Sequence, residues 1–165
     1  MATLQVGDQS PVFTTTSSQG EHFDFHNLIQ NHHVIIYFYP KDFTPGCTQE
    51  AQDFASAFNE ITKLSAKVVG VSKDSATSHN KFRQKLDLPF PLLADESGEI
   101  CQKFGVWQKK KMFSKVYMGI VRYTFLIARG GTIKKVWAKV RVKNHVRDVL
   151  HELEQLAKKT DETPR

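Results

Sequence analysis

Cysteine is scarce in this chain: only Cys47 and Cys101 occur in 165 residues. That count excludes a disulfide framework as the source of stability. The two stand 54 positions apart (101 − 47), a separation that matches no zinc-ligand spacing. No apolar stretch approaches the roughly 18 residues that a membrane-spanning helix needs. The opening residues Met1–Asp8 carry neither a charged leader nor an apolar core. No secretory signal is therefore expected, and the expected location is the cytoplasm. Internal repeats, low-complexity tracts and dividing linkers are also missing. One domain over residues 1–165 is expected, with a core at about 4–157 and a loose polar tail at 158–165.

What is present reads as an ordinary globular composition. Hydrophobic residues at 40% and charged residues at 24% argue against disorder. A chain of this length buries roughly two-thirds of its unfolded surface, enough to hold together without a metal or a cross-link. Lys+Arg 23 against Asp+Glu 17 leaves a net charge of +6, too diffuse to name a partner. The groups Lys109–Lys111 and Lys134–Lys135 read as solvated loops or strand faces. No basic repeat is interleaved with aromatics, so neither nucleic acid nor a membrane is expected as a partner.

Hydrophobic patterning predicts an α/β domain with a mixed sheet covered by helices. Val34–Tyr39 is a β-branched and aromatic run ended by Pro40, the mark of a central strand buried on both faces. After a loop at 40–46, apolar residues at Ala51, Phe54, Ala55, Phe58 and Ile61 recur on one face of a helix. Val68–Val71 follows as a second buried strand, and strand–helix–strand predicts a parallel pair. Asp74 or Ser75 is expected to cap a helix reaching about Leu86. A short helix carries Ile100, Cys101 and Phe104. Val121–Ile127 and Thr132–Ala138 read as strands joined by the turn Ala128–Gly131. Asn144 is expected to cap a last helix bearing Val146, Val149, Leu150 and Leu153 on one side. A small hairpin is expected at the start, pairing Val12–Thr16 with His22–Phe25.

The chemistry concentrates at Tyr39–Glu50. This stretch follows the carboxyl end of the central strand, where open α/β sheets place their ligand crevices. Cys47 falls in the first turn of the next helix, where unpaired N–H groups and the helix dipole favour an anion. A thiol so placed loses its proton more readily, and the thiolate is the nucleophilic form. The competing reading makes Cys47 an inert apolar residue filling the helix start.

The segment Pro40-x-x-x-Thr44-x-x-Cys47 resembles the active-site pattern of the peroxiredoxins. The longer run Phe38–Ala51, FYPKDFTPGCTQEA, is similar to the branch called bacterioferritin comigratory protein, or peroxiredoxin Q. Gly70–Ser75, Phe90–Asp95, Phe104–Trp107 and Gly119–Ile127 resemble the same branch in the same order, so the likeness covers about residues 4–155. It implies a thioredoxin-like fold of peroxiredoxin type and the reduction of hydrogen peroxide and organic hydroperoxides. On that likeness, Cys47 attacks a peroxide oxygen and becomes a sulfenic acid. Thr44 aims its hydroxyl at the peroxide, or serves only as a turn hydroxyl. Pro40 shields the thiolate from water, or only ends the strand. Arg122 is the implied guanidinium partner, and physical reasoning alone does not select it among 23 basic residues. Glu50 orients that arginine, or is a first-turn carboxylate favoured by the helix dipole. The backbone N–H groups of Gly46 and Cys47 are further candidate donors. No metal and no organic cofactor is implied, because peroxide is itself the oxidant, and no ligand-spaced cluster appears in the sequence. His22, His26, His32 and His33 read as surface or strand-edge residues.

The branch pattern breaks at the second cysteine. Many members carry a resolving cysteine on the same helix, where Gln52 stands here, and others on the next helix near Phe82–Arg83. Only Cys101 remains, either as an unusual resolving thiol or as a buried packing residue. The expected turnover therefore draws on an external thiol: thioredoxin, glutaredoxin or glutathione. A monomer or weak dimer is expected. Two other readings are a peroxide sensor relaying oxidation from Cys47, and a non-catalytic binding module using the basic stretch Lys109–Lys115.

Overall fold

The computed structural model describes residues 4–162. Nine strands and six helices alternate among these residues: β1 (Thr14–Ser17), β2 (His22–Asp24), α1 (Phe25–Asn31), β3 (His33–Phe38), α2 (Pro45–Ser56), α3 (Phe58–Lys63), β4 (Ala66–Ser72), α4 (Ala76–Leu86), β5 (Leu92–Ala94), α5 (Glu99–Lys103), β6 (Trp107–Met112), β7 (Lys115–Ile120), β8 (Tyr123–Ile127), β9 (Ile133–Trp137) and α6 (His145–Glu162). All six residues of β3 are buried, because the strand is central and covered on both faces. It pairs in parallel with β4 and antiparallel with β8. The seven-stranded sheet runs β2-β1-β5-β4-β3-β8-β9, and β6 and β7 form a separate ribbon. The result is a mixed sheet flanked by helices, of the thioredoxin-like kind.

Strand alternation sorts the interior into two clusters. Val34, Ile36 and Phe38 point to one face, where they meet Phe25 and Ile29 of α1, Ile100 and Cys101 of α5, and Phe104 at its C-terminal cap. Ile35 and Tyr37 point to the other, with Cys47, Ala51 and Phe54 of α2, Phe82 of α4 and Val149 and Leu153 of α6. The sheet therefore separates the two cysteines.

Local chemistry accounts for the helix boundaries. Ser75 caps α4, its hydroxyl accepting the Ser78 N–H at 3.1 Å. Pro45 opens α2 at a position where its missing N–H costs nothing. Several expectations shift. The helical pattern at Ala51–Ile61 divides at Ala57 (ψ 0°) into α2 and α3, although Phe54 and Ile61 keep the same face. No Pro or Gly marks that break. Phe25 is the first residue of α1 instead of the end of β2, because Asp24 accepts the Asn27 N–H and starts a helix there. Asn144 takes a left-handed conformation (φ 63°), and its carbonyl accepts the Asp148 N–H. The helix α6 runs on to Glu162, past the start of the expected tail, since no Gly or Pro intervenes before Pro164. The readings at Met1–Thr3 and Thr163–Arg165 lie outside the described residues. Among the described residues no helix is long and apolar enough to cross a membrane.

Candidate active site

Cys47 lies in the first turn of α2, just beyond the carboxyl end of β3, and is 1% exposed. Thr44 occupies the cap position but makes no capping bond with its side chain. Its hydroxyl donates instead to the Lys41 carbonyl at 2.8 Å. No side chain from the cap position therefore covers the first-turn N–H groups of Gly46 and Cys47, which are donors ready for an oxygen anion. The Thr44 oxygen keeps its lone pairs for a further donor.

Folding brings Arg122 to this turn from between β7 and β8. Its Nη2 lies 3.2 Å from Cys47 Sγ, and its Nη1 lies 2.6 Å from Glu50 Oε1. Gly46 leaves room for the approach, since a Cβ there would stand 3.3 Å from Nη2, a tight contact. Glu50 is fully buried, and its Oε2 has no hydrogen-bond partner. Burial outweighs the arginine and pushes the Glu50 carboxyl up to about 7. Burial also opposes the Arg122 charge, yet Glu50 and Cys47 together hold that group above its ordinary value. A guanidinium fixed by a buried carboxylate on one side and a sulfur on the other is preorganised to stabilise negative charge at that sulfur.

Cys47, Gly46, Glu50 and Arg122 are thus in one place, with Thr44 at the cap. Pro40 is exposed at the end of β3. Cys101 is elsewhere, fully buried in the cluster on the other face of the sheet. Burial, with the Asp95 charge beside it, drives its thiol strongly toward the protonated form.

Sequence reasoning missed a buried polar network behind the loop. Asp42 accepts from the Tyr39 hydroxyl at 2.6 Å and from the Ser78 hydroxyl at 2.8 Å, and its Oδ2 lies 2.7 Å from His79 Nδ1. His79 Nε2 donates to the Leu93 carbonyl at 3.0 Å. The Asp42 N–H donates to Asp74 at 2.9 Å. Asp42, Asp74 and His79 offer ligand atoms within 4.8 Å of one another, a clustering that linear spacing concealed. These side chains tie loop 40–46 to β4 and α4. His33, read as a surface or strand-edge residue, is the first residue of β3 and is buried, its Nδ1 accepting the Arg129 N–H.

Comparison with known proteins identifies relatives of the chain. The AhpC/TSA family model matches residues 6–136. The chain is 44% identical to a putative peroxiredoxin Bcp of Coxiella burnetii over 91% of its length and 99% of that protein's. It is 41% identical to peroxiredoxin Bcp of Bacillus subtilis, covering 95% of this chain and 99% of the relative. Among solved structures, peroxiredoxin Q of Xanthomonas campestris superposes with a TM-score of 0.84 at 39% identity, over 88% of this chain and 91% of that one. Bacterioferritin comigratory protein of the same organism, solved to explain its alkyl peroxide reduction activity, gives 0.85 at 36% identity over 91% and 99%. The chain belongs to the AhpC/TSA family, in its Bcp and peroxiredoxin Q branch, and is a thiol-dependent peroxidase.

Proposed function

We propose that Cys47 is the peroxidatic nucleophile, acting on hydrogen peroxide and organic hydroperoxides, and that an external thiol returns it to the reduced state. The observation that carries this reading is the 3.2 Å contact between Cys47 Sγ and Arg122 Nη2 at the start of α2. The thiolate attacks one peroxide oxygen, the O–O bond breaks, and sulfur loses two electrons to become a sulfenic acid. The departing oxygen takes the electron pair and then a proton. Arg122 and the N–H groups of Gly46 and Cys47 stabilise the charge in flight. Thr44, its own proton held by the Lys41 carbonyl, accepts from the peroxide O–H and keeps the O–O axis aligned. Glu50 positions Arg122, and Pro40 bounds the loop and limits access of water to the sulfur.

Re-reduction is by thioredoxin, glutaredoxin or glutathione, in the cytoplasm, with the protein a monomer or weak dimer. Gln52 stands where a resolving cysteine of the branch is found, and Cys101 lies across the sheet. These facts support a one-cysteine cycle in which Cys101 is a packing residue. The test is peroxide consumption in dithiothreitol by the parent and by Cys47→Ser, with intact mass after one equivalent of peroxide. The parent is expected to turn over and to gain one oxygen at Cys47, and the variant to do neither. Consumption surviving in Cys47→Ser overturns the assignment.

A further inference from the structure

We propose that the β6–β7 hairpin is the docking surface for the reductant of Cys47, and that this reductant is an acidic protein thiol with an apolar rim. The inference rests on the one-cysteine reading above.

The hairpin pairs only with itself, from Trp107 opposite Ile120 to Met112 opposite Lys115. Met112, Phe113, Val116, Tyr117 and Met118 are five of the eight large apolar side chains exposed among the described residues. Phe113 at the tip is 93% exposed. Clustering of this kind marks an interaction surface, whereas single exposed apolar residues do not. Lys109, Lys110, Lys111 and Lys115 share the hairpin, and no Asp or Glu occurs between 107 and 120. Among the described residues none of these lysines forms an ion pair. Unneutralised positive charge around exposed apolar side chains is complementary to an acidic partner.

Position ties this surface to the reaction. The register puts Lys110, Met112, Lys115 and Tyr117 on one face of the ribbon. Lys110 is the member nearest the chemistry: burial and the Arg122 charge lower its proton affinity, while Cys47 raises it. Its Nζ donates to the carbonyl of Ile120, two residues before Arg122. A partner seated along this face reaches the base of the hairpin, two residues from Arg122. Its thiolate attacks the sulfenic sulfur of Cys47, the S–O bond breaks, and the hydroxide leaves as water on taking a proton. A second thiol of the partner then displaces Cys47 as thiolate, and the partner departs as a disulfide, oxidised by two electrons. Cys47 is buried, so the helix start must open for attack, and a bound partner keeps its sulfur alongside while that happens.

The full-length protein tests this with a Lys115→Glu/Tyr117→Glu variant, both positions on that face, and, separately, Phe113→Ser. The single-turnover rate with peroxide and the turnover with dithiothreitol are expected to stay within about twofold of the parent. With an acidic thioredoxin or glutaredoxin as reductant, KM is expected to rise at least about 10-fold in the charge-reversed variant while kcat changes little. The parent's KM should climb with added salt, as screening of exposed charges requires. An unchanged KM in both variants, or no turnover of the parent with either acidic protein, overturns the docking proposal. So does a parent dimer that the variants convert to monomer without any change in KM, or anionic phosphatidylserine vesicles whose capture of the parent is the only property lost. If the parent shows no single turnover with peroxide, it is the peroxidase assignment of Cys47 that fails, and the two failures are thereby told apart.

Discussion

Arg122 donates Nη1–H to Glu50 Oε1 at 2.6 Å in the interior, where the Glu50 side chain has no exposed surface. The pair spans 72 positions in the chain. It leaves the second amine of the guanidinium directed at the Cys47 sulfur. A lysine ammonium in place of the fork would lose the two fixed, separate nitrogens that serve the two partners.

Arg122→Lys is therefore expected to slow the reaction of Cys47 with peroxide by about 100-fold, the scale seen when one preorganised donor is lost. Stopped-flow mixing with peroxide measures this directly. A rate constant unaltered by the substitution would remove the guanidinium from the reaction.

Glu50 and His145 should pull stability in opposite directions with pH. Glu50 holds its proton up to about 7 in the folded protein, against an ordinary 4.5. Between those values the folded state binds more protons than the unfolded one, so stability falls as pH rises. The magnitude is up to about 3 kcal/mol. His145, buried with Nε2 2.8 Å from the Thr124 hydroxyl, is pushed down from 6.5 to about 4, chiefly by burial. There the unfolded state binds more protons, so stability rises with pH across about 4 to 6.5. Urea unfolding between pH 4 and 8 separates the two: Glu50→Gln removes the fall, and His145→Gln removes the rise. A parent whose profile neither variant alters contradicts both assignments.

Cys101→Ala should leave turnover with dithiothreitol and with protein thiols unchanged. It should cost about 1 kcal/mol in a urea melt, for a small buried side chain lost from a packed core. Peptide mapping after mild peroxide treatment should find no link between residues 47 and 101. A cross-linked peptide in high yield would make Cys101 a resolving thiol.

His79→Phe keeps an aromatic ring but strands the Asp42 carboxylate and the Leu93 carbonyl, both of which pair with the imidazole. The expected loss is about 2–4 kcal/mol, typical of breaking a buried polar pair. Adding Asp42→Asn should recover part of it, because the stranded charge is then gone. Independent, additive losses in the double variant would show that the two side chains do not act together.

Elements whose information is local can be read directly from the order of residues. The apolar run before Pro40, the one-sided pattern after it and the Ser75 cap placed β3, α2 and α4. Thr44, Gly46, Cys47 and Glu50 lie within one turn-and-helix start, so the nucleophile was legible there. Arg122 was legible only through family likeness, since nothing in its neighbours says what it will face. Tertiary structure decided what depends on distant parts of the chain. It brought Arg122 to Cys47, gathered Asp42, Asp74 and His79, and put the two cysteines on opposite faces of the sheet. It also paired β6 with β7, whose strands leave most side chains exposed and so show no apolar alternation to read. Side-chain periodicity records which face is buried, but the identity of the neighbour across that face is fixed only when the sheet closes its pairings.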